Sequence, residues 1–434
     1  MSARDIALID LDRHPLPHWP AGALRAARRP ARQAPAHAAD PALARQIHHG
    51  VVKNLLLLQH LIEFHSGRGL RKIDPLAQKI LAIALFQIRF LDRIPAAAAV
   101  DEAIKQMKRF GHANTAKFVN AVLRRATSEA PPQLPAQADD PEQYVRLVLS
   151  HPPELFAKLK HLLGDADALR FCRHSQAQAP TLVRLIGPTT IQQLRDAAGR
   201  EVGVEPHRQA GLCVVTHAKQ PLLADLAQRG LAQVQDATAA SVVPALGVEP
   251  GQTILDRCCG MGTKTLQLHE MMTGQGRLIA MDSDGRRCQI LRQLADQRGL
   301  KNIEVVESRG LSGLREYDGV QFDRILIDAP CSNSGVLARR PEARFAQTAA
   351  TLASLVKLQD WILRDTAPRL RPGGKLVYST CSIWPEENRQ RIDQFLESQP
   401  ELALEQDAGT LPSLGASDAD YHDGGYWARL RRRH

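Results

Sequence analysis

The fold of this chain is decided by the stretch KLVYSTCSIWPEEN, residues Lys375–Asn388. Lys375 to Tyr378 predicts a buried strand, and the small polar residues that follow it predict a turn. Cys381 therefore lies just past the carboxyl end of a strand, where open α/β sheets bind their ligands. Taken alone, this cysteine is best interpreted as a small buried hydrophobe, which is what most free cysteines are.

A second cysteine has the same setting in FDRILIDAPCSNSG, residues Phe322–Gly335. An apolar strand runs into Asp328, and Cys331 follows in a turn that begins at Pro330. If the two strands are neighbours, about 4.8 Å apart, both thiols overhang one crevice. Because both cysteines occupy strand-end turns with polar neighbours, a chemical role is favoured over simple burial.

Strands and helices alternate from Asp236 to the end of the chain. The alternation predicts a doubly wound, mostly parallel sheet. The predicted strands are Thr253–Asp256, Arg277–Met281, Asn302–Val306, Phe322–Ile327, Lys375–Tyr378 and Tyr426–Leu430.

The first of these strands leads into a glycine-containing loop and a helix, TILDRCCGMGTKT, Thr253–Thr265. Such a loop presents backbone N–H groups and lets the backbone approach a ligand closely. It matches neither the P-loop spacing nor the dinucleotide GxGxxG spacing. Asp282, which ends the next strand, is the type of acid that binds a pair of ribose hydroxyls. The arrangement predicts a nucleoside site that suits a nicotinamide enzyme nearly as well as an S-adenosylmethionine enzyme.

Length and composition bound the class of protein. A chain of 434 residues, 44% hydrophobic and 24% charged, is typical of a soluble globular protein with two or three domains. The net charge of +10 favours an anionic partner, with nucleic acid as the first candidate. Seven cysteines without a CxxC pair argue against a disulfide framework or a zinc site, and favour a reducing cytoplasm. Apolar runs such as Ile80–Phe86 are too short to span a bilayer.

The first half of the chain divides into three predicted parts. Residues 1–39, rich in Ala, Pro and Arg, predict a basic, mostly disordered arm, with an organellar transit peptide as the alternative. Residues 40–128 are helical, and Asp74 is the expected N-cap of a helix that starts at Pro75. Residues 129–235 hold a proline-rich linker, two helices and a small α/β module.

Basic side chains cluster on two predicted helices of the first half, Val100–Phe110 and Ala113–Arg125. Acidic residues do not balance them, so we expect a face that contacts nucleic-acid phosphates, although most such side chains are simply solvated. The residues predicted to bind RNA in this way are Lys105, Lys108, Arg109, Arg124 and Arg125.

The motifs together resemble the RNA 5-methylcytosine methyltransferases of the RsmB/Sun type. DAPCSNSG is similar to the family's DAPCSxTG, and VYSTCSIWPEEN to its VYxTCSxxxxEN. DGGYWARL resembles the family's final strand, and Asp74–Arg125 resembles the NusB-type RNA-binding helical domain that RsmB members carry. The resemblance implies an all-α NusB-like domain at 40–128, a connecting module at 129–235 and a Rossmann-like α/β methyltransferase domain at 236–434.

The resemblance also implies roles for individual residues. Cys381 is the expected nucleophile, Cys331 assists product release, and Asp328 binds the cytosine. Arg339 and Arg340, with Arg344, are expected to contact RNA phosphates. The residues expected to bind S-adenosylmethionine are Cys258, Cys259, Gly260, Met261, Gly262, Thr263, Lys264, Asp282 and Asp328.

The cofactor loop departs from the family pattern DxCAAPGGKT. Cys259, Gly260, Met261 and Thr263 stand where the family has Ala, Ala, Pro and Gly. Arg309 stands where an acid usually approaches the adenine. These differences predict a weaker cofactor affinity or an adenine held by other groups.

These inferences lead to one hypothesis with two rivals. The chain is interpreted as a monomeric cytoplasmic enzyme that methylates carbon 5 of a cytosine in small-subunit ribosomal RNA, without a metal or a membrane. The first rival is an RNA-binding relative whose methyltransferase site is weak or inactive. The second, a nicotinamide-dependent dehydrogenase, leaves the two cysteine turns unexplained.

Overall fold

The computed structural model describes residues 2–13, 16, 17, 19, 40–308, 314, 317–415 and 417–434. The chain forms two compact units. The helical unit contains Met1–Gln176 and Arg340–Ala346, and the α/β unit contains Ala177–Arg339 and Gln347–His434. The structure therefore groups the helices that follow the proline-rich linker with the helical unit rather than with the connecting module.

The first six helices of the helical unit pack around one continuous apolar core. A short π-helix, Tyr144–Val148, precedes its last two helices. The helices are α1 Ala3–Leu11, α2 Pro41–Lys53, α3 Leu55–Ser66, α4 Pro75–Phe90, α5 Ala96–Arg109, α6 Ala116–Ser128, α7 Pro153–Leu163 and α8 Asp165–Gln176.

Helix α4 is the central element of this unit, because its side chains from Leu76 to Gln87 are all buried. As predicted, the Asp74 carboxylate caps it by accepting a hydrogen bond from the Ala77 N–H at 3.0 Å. Gly50 of α2 allows the close approach of the two helices, since a Cβ at that position would lie 1.9 Å from Phe86 Cζ.

The structure differs from the prediction over the start of the basic arm. Ser2 and Asp5 form a capping box, and Ala3–Leu11 is a helix with a buried face. Asp5 is fully buried and accepts hydrogen bonds from Gln106 and Arg109 of α5. The partner of this acid is distant in sequence, so local composition could not reveal the helix. Residues 20–39 lie outside the described residues.

The connecting module begins the α/β unit. Its elements are β1 Thr181–Leu185, α9 Ile191–Ala198, β2 Gly203–Pro206, β3 Leu212–Thr216, α10 Gln220–Gln228 and β4 Ala232–Val234. The strands form an antiparallel sheet in the order β2-β3-β1-β4, as in the ferredoxin-like βαββαβ arrangement. One face packs on the two helices, and on the other Leu182 and Val214 pack against Tyr421.

A seven-stranded sheet forms the rest of this unit, in the order β10-β11-β9-β8-β5-β6-β7. Its strands are β5 Thr253–Asp256, β6 Arg277–Asp282, β7 Ile303–Glu307, β8 Phe322–Asp328, β9 Leu370–Thr380, β10 Leu402–Thr410 and β11 Gly425–Arg432. Strands β5 to β9 pair in parallel, and β11 is antiparallel to both β9 and β10. The predicted Rossmann-like, mostly parallel sheet is confirmed. The one strand not predicted is β10, at the sheet edge.

Helices accompany the strands of this sheet. They are α11 Ala237–Leu246, α12 Thr263–Met271, α13 Gly285–Gln297, α14 Ala349–Thr366 and α15 Arg389–Leu396. The chain continues from β5 to β6 and β7 on one side and returns to β8 and β9 on the other. The order of strands thus reverses between β5 and β8. The carboxyl ends of strands at such a switch point form the ligand crevice of doubly wound sheets.

Candidate active site at the strand ends

The two cysteines meet at this crevice. Strands β8 and β9 are parallel neighbours, with Asp328 opposite Ser379 at their carboxyl ends. The turns that follow bring Cys331 Sγ to 3.1 Å from Cys381 Sγ. The sequence-based expectation that the two strands are neighbours is therefore confirmed, and both thiols are free and only partly buried.

Asp328 lies beside the thiols in a fixed orientation. One carboxylate oxygen accepts a hydrogen bond from Ser379 Oγ at 2.8 Å, and the other pairs with Lys264 Nζ at 2.6 Å. Burial by itself would lower the pKa of Lys264, but the Asp328 carboxylate raises that pKa overall, and the ammonium group stays charged. The ion pair and the Ser379 hydrogen bond fix the orientation of the Asp328 carboxylate.

A buried carboxylate, Glu387, fixes the turn that carries Cys331. Glu387 is fully buried, and its Oε1 accepts hydrogen bonds from the Ser332 N–H at 2.9 Å and from Gln359 Nε2 at 3.0 Å. Its Oε2 accepts a hydrogen bond from Ser332 Oγ, and Gln359 Nε2 also donates to the Pro330 carbonyl. The residues on both sides of Cys331 are thus held by the same pair of side chains.

Buried hydroxyl groups fix the turn that carries Cys381. Ser334 Oγ accepts a hydrogen bond from the Ile383 N–H and lies 3.0 Å from Ser382 Oγ. Asn388 donates to the Ser382 carbonyl and accepts from Thr380 Oγ1. The polar residues of the motif therefore bond to one another and to the turn backbone, and leave the thiols facing the crevice.

The two thiols differ in their surroundings. The hydrogen bond with Cys381 and then burial raise the pKa of Cys331 well above its usual value, and the negative charge of Glu387 adds to this effect. Cys331 is therefore a thiol at neutral pH. Lys264 is the nearby cation that faces Cys381. The two thiols therefore differ in the charge near them, with the Lys264 cation near Cys381 and the Glu387 carboxylate near Cys331.

The cofactor loop predicted from the sequence lies at the end of β5. Gly260 adopts a φ of +55° and donates its N–H to Asp282 Oδ2 at 2.9 Å. Asp282 Oδ1 accepts the Asp284 N–H at 2.9 Å, so the carboxylate that ends β6 is anchored to the loop. At Gly262, φ is +93° and a Cβ would lie 2.3 Å from Leu291 Cδ1, so glycine is required there.

The remaining side chains of the loop point in different directions. Met261 is 60% exposed, whereas Cys259 is buried. Burial raises the pKa of Cys258 to about 12, and burial likewise raises the pKa of Cys259, so both are neutral thiols without a reactive thiolate. Thr263 begins helix α12. Arg309 lies outside the described residues.

The expected RNA-binding side chains fall into two groups. Lys105 pairs with Asp101, Arg109 with Asp5 and Glu102, and Arg125 with Glu129. The others on the helical unit are exposed and form no ion pair with a described residue; they are Lys108, Arg124 and Arg340. Charge that is already paired contributes less to phosphate binding, so the second group is the stronger candidate.

Two further arginines are committed to contacts within their own unit. Arg339 donates to Asp423 at 2.6 Å and to the Pro180 carbonyl, and it lies over the Tyr421 ring. Arg344, expected to contact RNA, is 1% exposed, which corrects that expectation. Its guanidinium donates to Gln176 and to the Lys53 and Ser175 carbonyls of the helical unit. The sequence gives no sign of the partners of Arg344, because each of them is more than a hundred residues away from it.

Two kinds of site have no support among the described residues. No group of three or more His, Cys, Asp or Glu side chains is arranged to hold a metal there. No helix within the described ranges combines the length and apolarity that a membrane span requires.

Comparison with known proteins gives two family matches. The family "16S rRNA methyltransferase RsmB/F" matches residues 243–418, a range that includes both cysteines. The "NusB family" matches residues 12–128.

Individual relatives extend the match over most of the chain. The ribosomal RNA small subunit methyltransferase B of Vibrio cholerae is 31% identical over 415 residues, which cover 93% of this chain and 92% of the relative. The enzyme of the same name from Pseudomonas putida is 32% identical over 371 residues, 82% of each chain. The crystal structure of the protein PH0851 has the same fold, with a TM-score of 0.77 at 22% identity over 91% of this chain and 92% of that one. The resemblance inferred from the motifs is confirmed, and the chain belongs to the ribosomal RNA small subunit methyltransferase B family.

Proposed function

We propose that this methyltransferase modifies carbon 5 of a cytosine in small-subunit ribosomal RNA, through a covalent bond between Cys381 and carbon 6 of the base. The observation that supports this most is the pair of thiols 3.1 Å apart at the ends of adjacent strands. An ion-paired carboxylate, Asp328, lies beside them. A nicotinamide-dependent dehydrogenase has no use for such a pair.

The chemistry explains why a thiol is needed. Carbon 5 of cytosine is too weak a nucleophile to accept a methyl group directly. Addition of a thiolate to carbon 6 converts the ring into an enamine, whose carbon 5 is nucleophilic. Cys381 is the candidate for this addition because the cationic Lys264 faces it, whereas Cys331 stays protonated.

Asp328 and Lys264 orient the base and balance its charge. As Cys381 adds to carbon 6, the proton released from its thiol would move to ring nitrogen 3. The Asp328 carboxylate would then accept a hydrogen bond from that N–H and another from the amino group of the cytosine. Because Ser379 and Lys264 already fix its two oxygens, little reorganisation is needed when charge builds up on the ring.

Cys331 has a role after methyl transfer. Removal of the proton from carbon 5 forms the double bond between carbons 5 and 6, breaks the bond between carbon 6 and sulfur, and releases Cys381 as a thiolate. As the bond to sulfur breaks, Cys331 would donate its own proton to the departing Cys381 sulfur, 3.1 Å away, and accept the carbon 5 proton in its place, so that both side chains end as thiols. One thiol therefore forms the covalent intermediate and the other resolves it.

The residues at the end of β5 fit S-adenosylmethionine as the methyl donor. The N–H-rich loop and the anchored carboxylate of Asp282 suit a nucleoside, and Asp282 retains lone pairs for a ribose hydroxyl pair. Asp256 Oδ1 is buried and accepts no hydrogen bond from any described residue, which leaves an acceptor at the same strand end. When bound, the cofactor supplies an electrophilic methyl group on a sulfonium.

The RNA must present the cytosine outside a helix, in a loop or as a flipped nucleotide. Aromatic residues make up only 4% of the chain, so phosphate contacts are the expected main source of affinity. Neutralising Lys108 and Arg124 should weaken RNA binding and reduce its salt dependence, and leave S-adenosylmethionine binding unchanged. An unaltered salt slope would show that these side chains are only solvated.

Substitution of each cysteine tests the mechanism. Cys381→Ala should abolish both methyl transfer and any covalent link to RNA. Cys331→Ala should form the link but fail to break it, and accumulate a protein–RNA adduct that survives denaturing electrophoresis. The double variant should form no adduct.

The matched control is Cys213→Ala, which removes a buried thiol from β3 of the connecting module. It should behave like the unmodified protein. An inactive RNA-binding relative would give no adduct in any variant. An adduct in Cys381→Ala alone would reverse the two roles.

A further inference from the structure

Asn333 occupies a position that the family motif DAPCSxTG leaves unspecified. It adopts a φ of +59°, in the left-handed region that asparagine tolerates better than most residues. The residues on either side of it are buried: Ser334 is fully buried, and the Ser332 N–H donates to Glu387 Oε1 at 2.9 Å. The backbone therefore holds the Asn333 side chain at one place, beside the thiols.

The carboxamide of Asn333 joins both cysteine turns. Its Oδ1 lies 3.2 Å from Cys381 Sγ and accepts the thiol proton. Its Nδ2 donates to the Cys331 carbonyl at 3.0 Å. With the 3.1 Å contact between the two sulfurs, these bonds form a closed ring of Cys331, Cys381 and Asn333.

The Nδ2 bond determines which end of the amide faces the nucleophile. If the carboxamide rotated by half a turn, Oδ1 would lie against the Cys331 carbonyl, and two acceptors would oppose each other. The oxygen therefore remains directed at Cys381. A fixed acceptor stabilises S–H and repels a thiolate, so this contact opposes ionisation of Cys381.

Other charged and titratable groups face the thiol pair from the elements around it. Lys264, at the start of α12, favours the Cys381 thiolate, and Asp328 at the end of β8 partly cancels its charge. Cys331 can donate to the Cys381 sulfur, and the buried Glu387 carboxylate lies behind Cys331. Unlike these groups, Asn333 accepts the Cys381 thiol proton directly.

We propose that Asn333 is a positioning residue that holds Cys381 as a thiol in the resting enzyme, and that the nucleophile ionises only when this contact is released. The inference rests on the proposed role of Cys381 as the nucleophile. The contact with Asn333 would protect Cys381, since a permanent thiolate 3.1 Å from a second thiol would be open to alkylation and oxidation. The same contact would slow the attack of Cys381 on the base.

Alkylation of the free enzyme tests the proposal without RNA. Iodoacetamide would be applied over a pH series, and modification of the Cys381 peptide measured by mass spectrometry. Asn333→Gly keeps the left-handed backbone and removes the carboxamide, so Cys381 should react about threefold to tenfold faster at pH 7. Asn333→Asp replaces the amide by a carboxylate, and Cys381 should react about tenfold more slowly.

The matched control is His217→Gly, because His217 is exposed and also has a positive φ, of +62°. It should leave the alkylation rates of Cys381 unchanged. Opposite shifts of the pH midpoint in the two Asn333 variants support the proposal, since general loosening of the turn would accelerate alkylation in both. A slower reaction in Asn333→Gly, or changes below about twofold in both variants, would overturn it.

A second readout separates this inference from the proposed function. Methyl transfer to small-subunit ribosomal RNA, isolated from a strain that lacks the gene, would be measured with the unmodified protein. If the unmodified protein transfers no methyl group, the proposed function fails whatever the alkylation rates are. If it transfers methyl groups and the alkylation pattern is absent, only the role of Asn333 fails.

Discussion

The two halves of the active-site edge are built in different ways. In the turns that carry Cys331 and Cys381, buried side chains bond to the backbone, with Glu387 as the main acceptor. In the cofactor loop, residues 258–263, hydrogen bonds between backbone groups hold the conformation instead. The Cys259 N–H bonds to the Met281 carbonyl, the Gly262 N–H to the Cys259 carbonyl, and Met261 projects outward.

This difference explains where the sequence departs from the family pattern. Four of the departures lie in the cofactor loop, at Cys259, Gly260, Met261 and Thr263, where a side chain can change without losing a hydrogen bond. In the thiol turns the one departure, Ser334 in place of Thr, keeps the hydroxyl that bonds to Ser382 and to the Ile383 N–H. Substitutions in the thiol turns should therefore have larger effects than substitutions in the loop.

The largest effect is expected from Glu387→Ala. The substitution leaves the Ser332 N–H and one Gln359 donor unsatisfied in a buried site, at about 1–3 kcal/mol for each group. We expect methyl transfer to fall about a hundredfold or more and the unfolding temperature to fall by several degrees. Both are measurable on the purified variant.

The control is Glu397→Ala, which removes an exposed glutamate just after α15. It should match the unmodified protein within about 0.5 kcal/mol of unfolding free energy. Equal behaviour of the two variants would contradict the idea that the thiol turns depend on a buried acceptor.

The next effect is expected from Asp282→Ala. It removes the carboxylate proposed to bind the ribose and also the anchor of the Gly260 N–H. Each lost charged hydrogen bond costs about 1.5–3 kcal/mol, so the dissociation constant for S-adenosylmethionine should rise about tenfold or more. Calorimetry measures this, with exposed Asp296→Ala as the control, and an unchanged affinity would refute the assignment.

Asp256 provides a test that depends on pH. Burial raises its pKa to about 7, above the value of about 3.9 in an unfolded chain. The folded state thus favours the protonated form of Asp256. The contribution of this group to the free energy of unfolding is therefore fully present below about pH 4 and is lost as the pH rises to about 7. Asp256→Asn cannot lose a proton, so between pH 5 and 7 it should gain about 2–3 kcal/mol relative to the unmodified protein.

Thermal unfolding of both proteins at pH 5 and pH 7, without cofactor, measures that gain. The Thr265 hydroxyl still finds an acceptor in the variant. Parallel pH curves for the two proteins would show that Asp256 ionises normally.

The smallest effects are expected inside the loop itself. Gly260→Ala restores the family residue but places a Cβ at a φ of +55°, which costs about 1–2 kcal/mol although there is room for it. Cofactor affinity should fall about fivefold to thirtyfold. Met261→Pro changes an exposed side chain, so its effect should be within about threefold. If Met261→Pro had the larger effect, the loop would depend on side chains after all.

Much of this arrangement could be predicted from the sequence because it depends on local signals. The strands of the parallel sheet are short apolar runs, and the thiols follow two of them directly. Because β8 and β9 are adjacent parallel strands, Cys331 and Cys381 then lie next to each other. Edge strand β10 was missed because LALEQDAGT, Leu402–Thr410, is largely polar and pairs on one side only.

The contacts that could not be predicted are those made at long range. Glu387 lies inside a recognised motif, but its bond to Ser332 spans 55 residues. A role for Asn333 could not be predicted because the motif leaves its position unspecified and its contact with Cys381 spans 48 residues. Helix α1 depends on the pairing of Asp5 with Arg109, 104 residues away. No local window contains both members of such a pair.

The helical unit is formed by two separate segments of the chain, and this limits how the protein can be divided into fragments. Residues Arg340–Ala346 belong to that unit, although the chain on both sides of them belongs to the α/β unit. A fragment ending at Gln176 would lack Arg344, whose guanidinium satisfies the Lys53 and Ser175 carbonyls. The helical unit is thus not a removable N-terminal module. Domain exchange between relatives would have to transfer both pieces together.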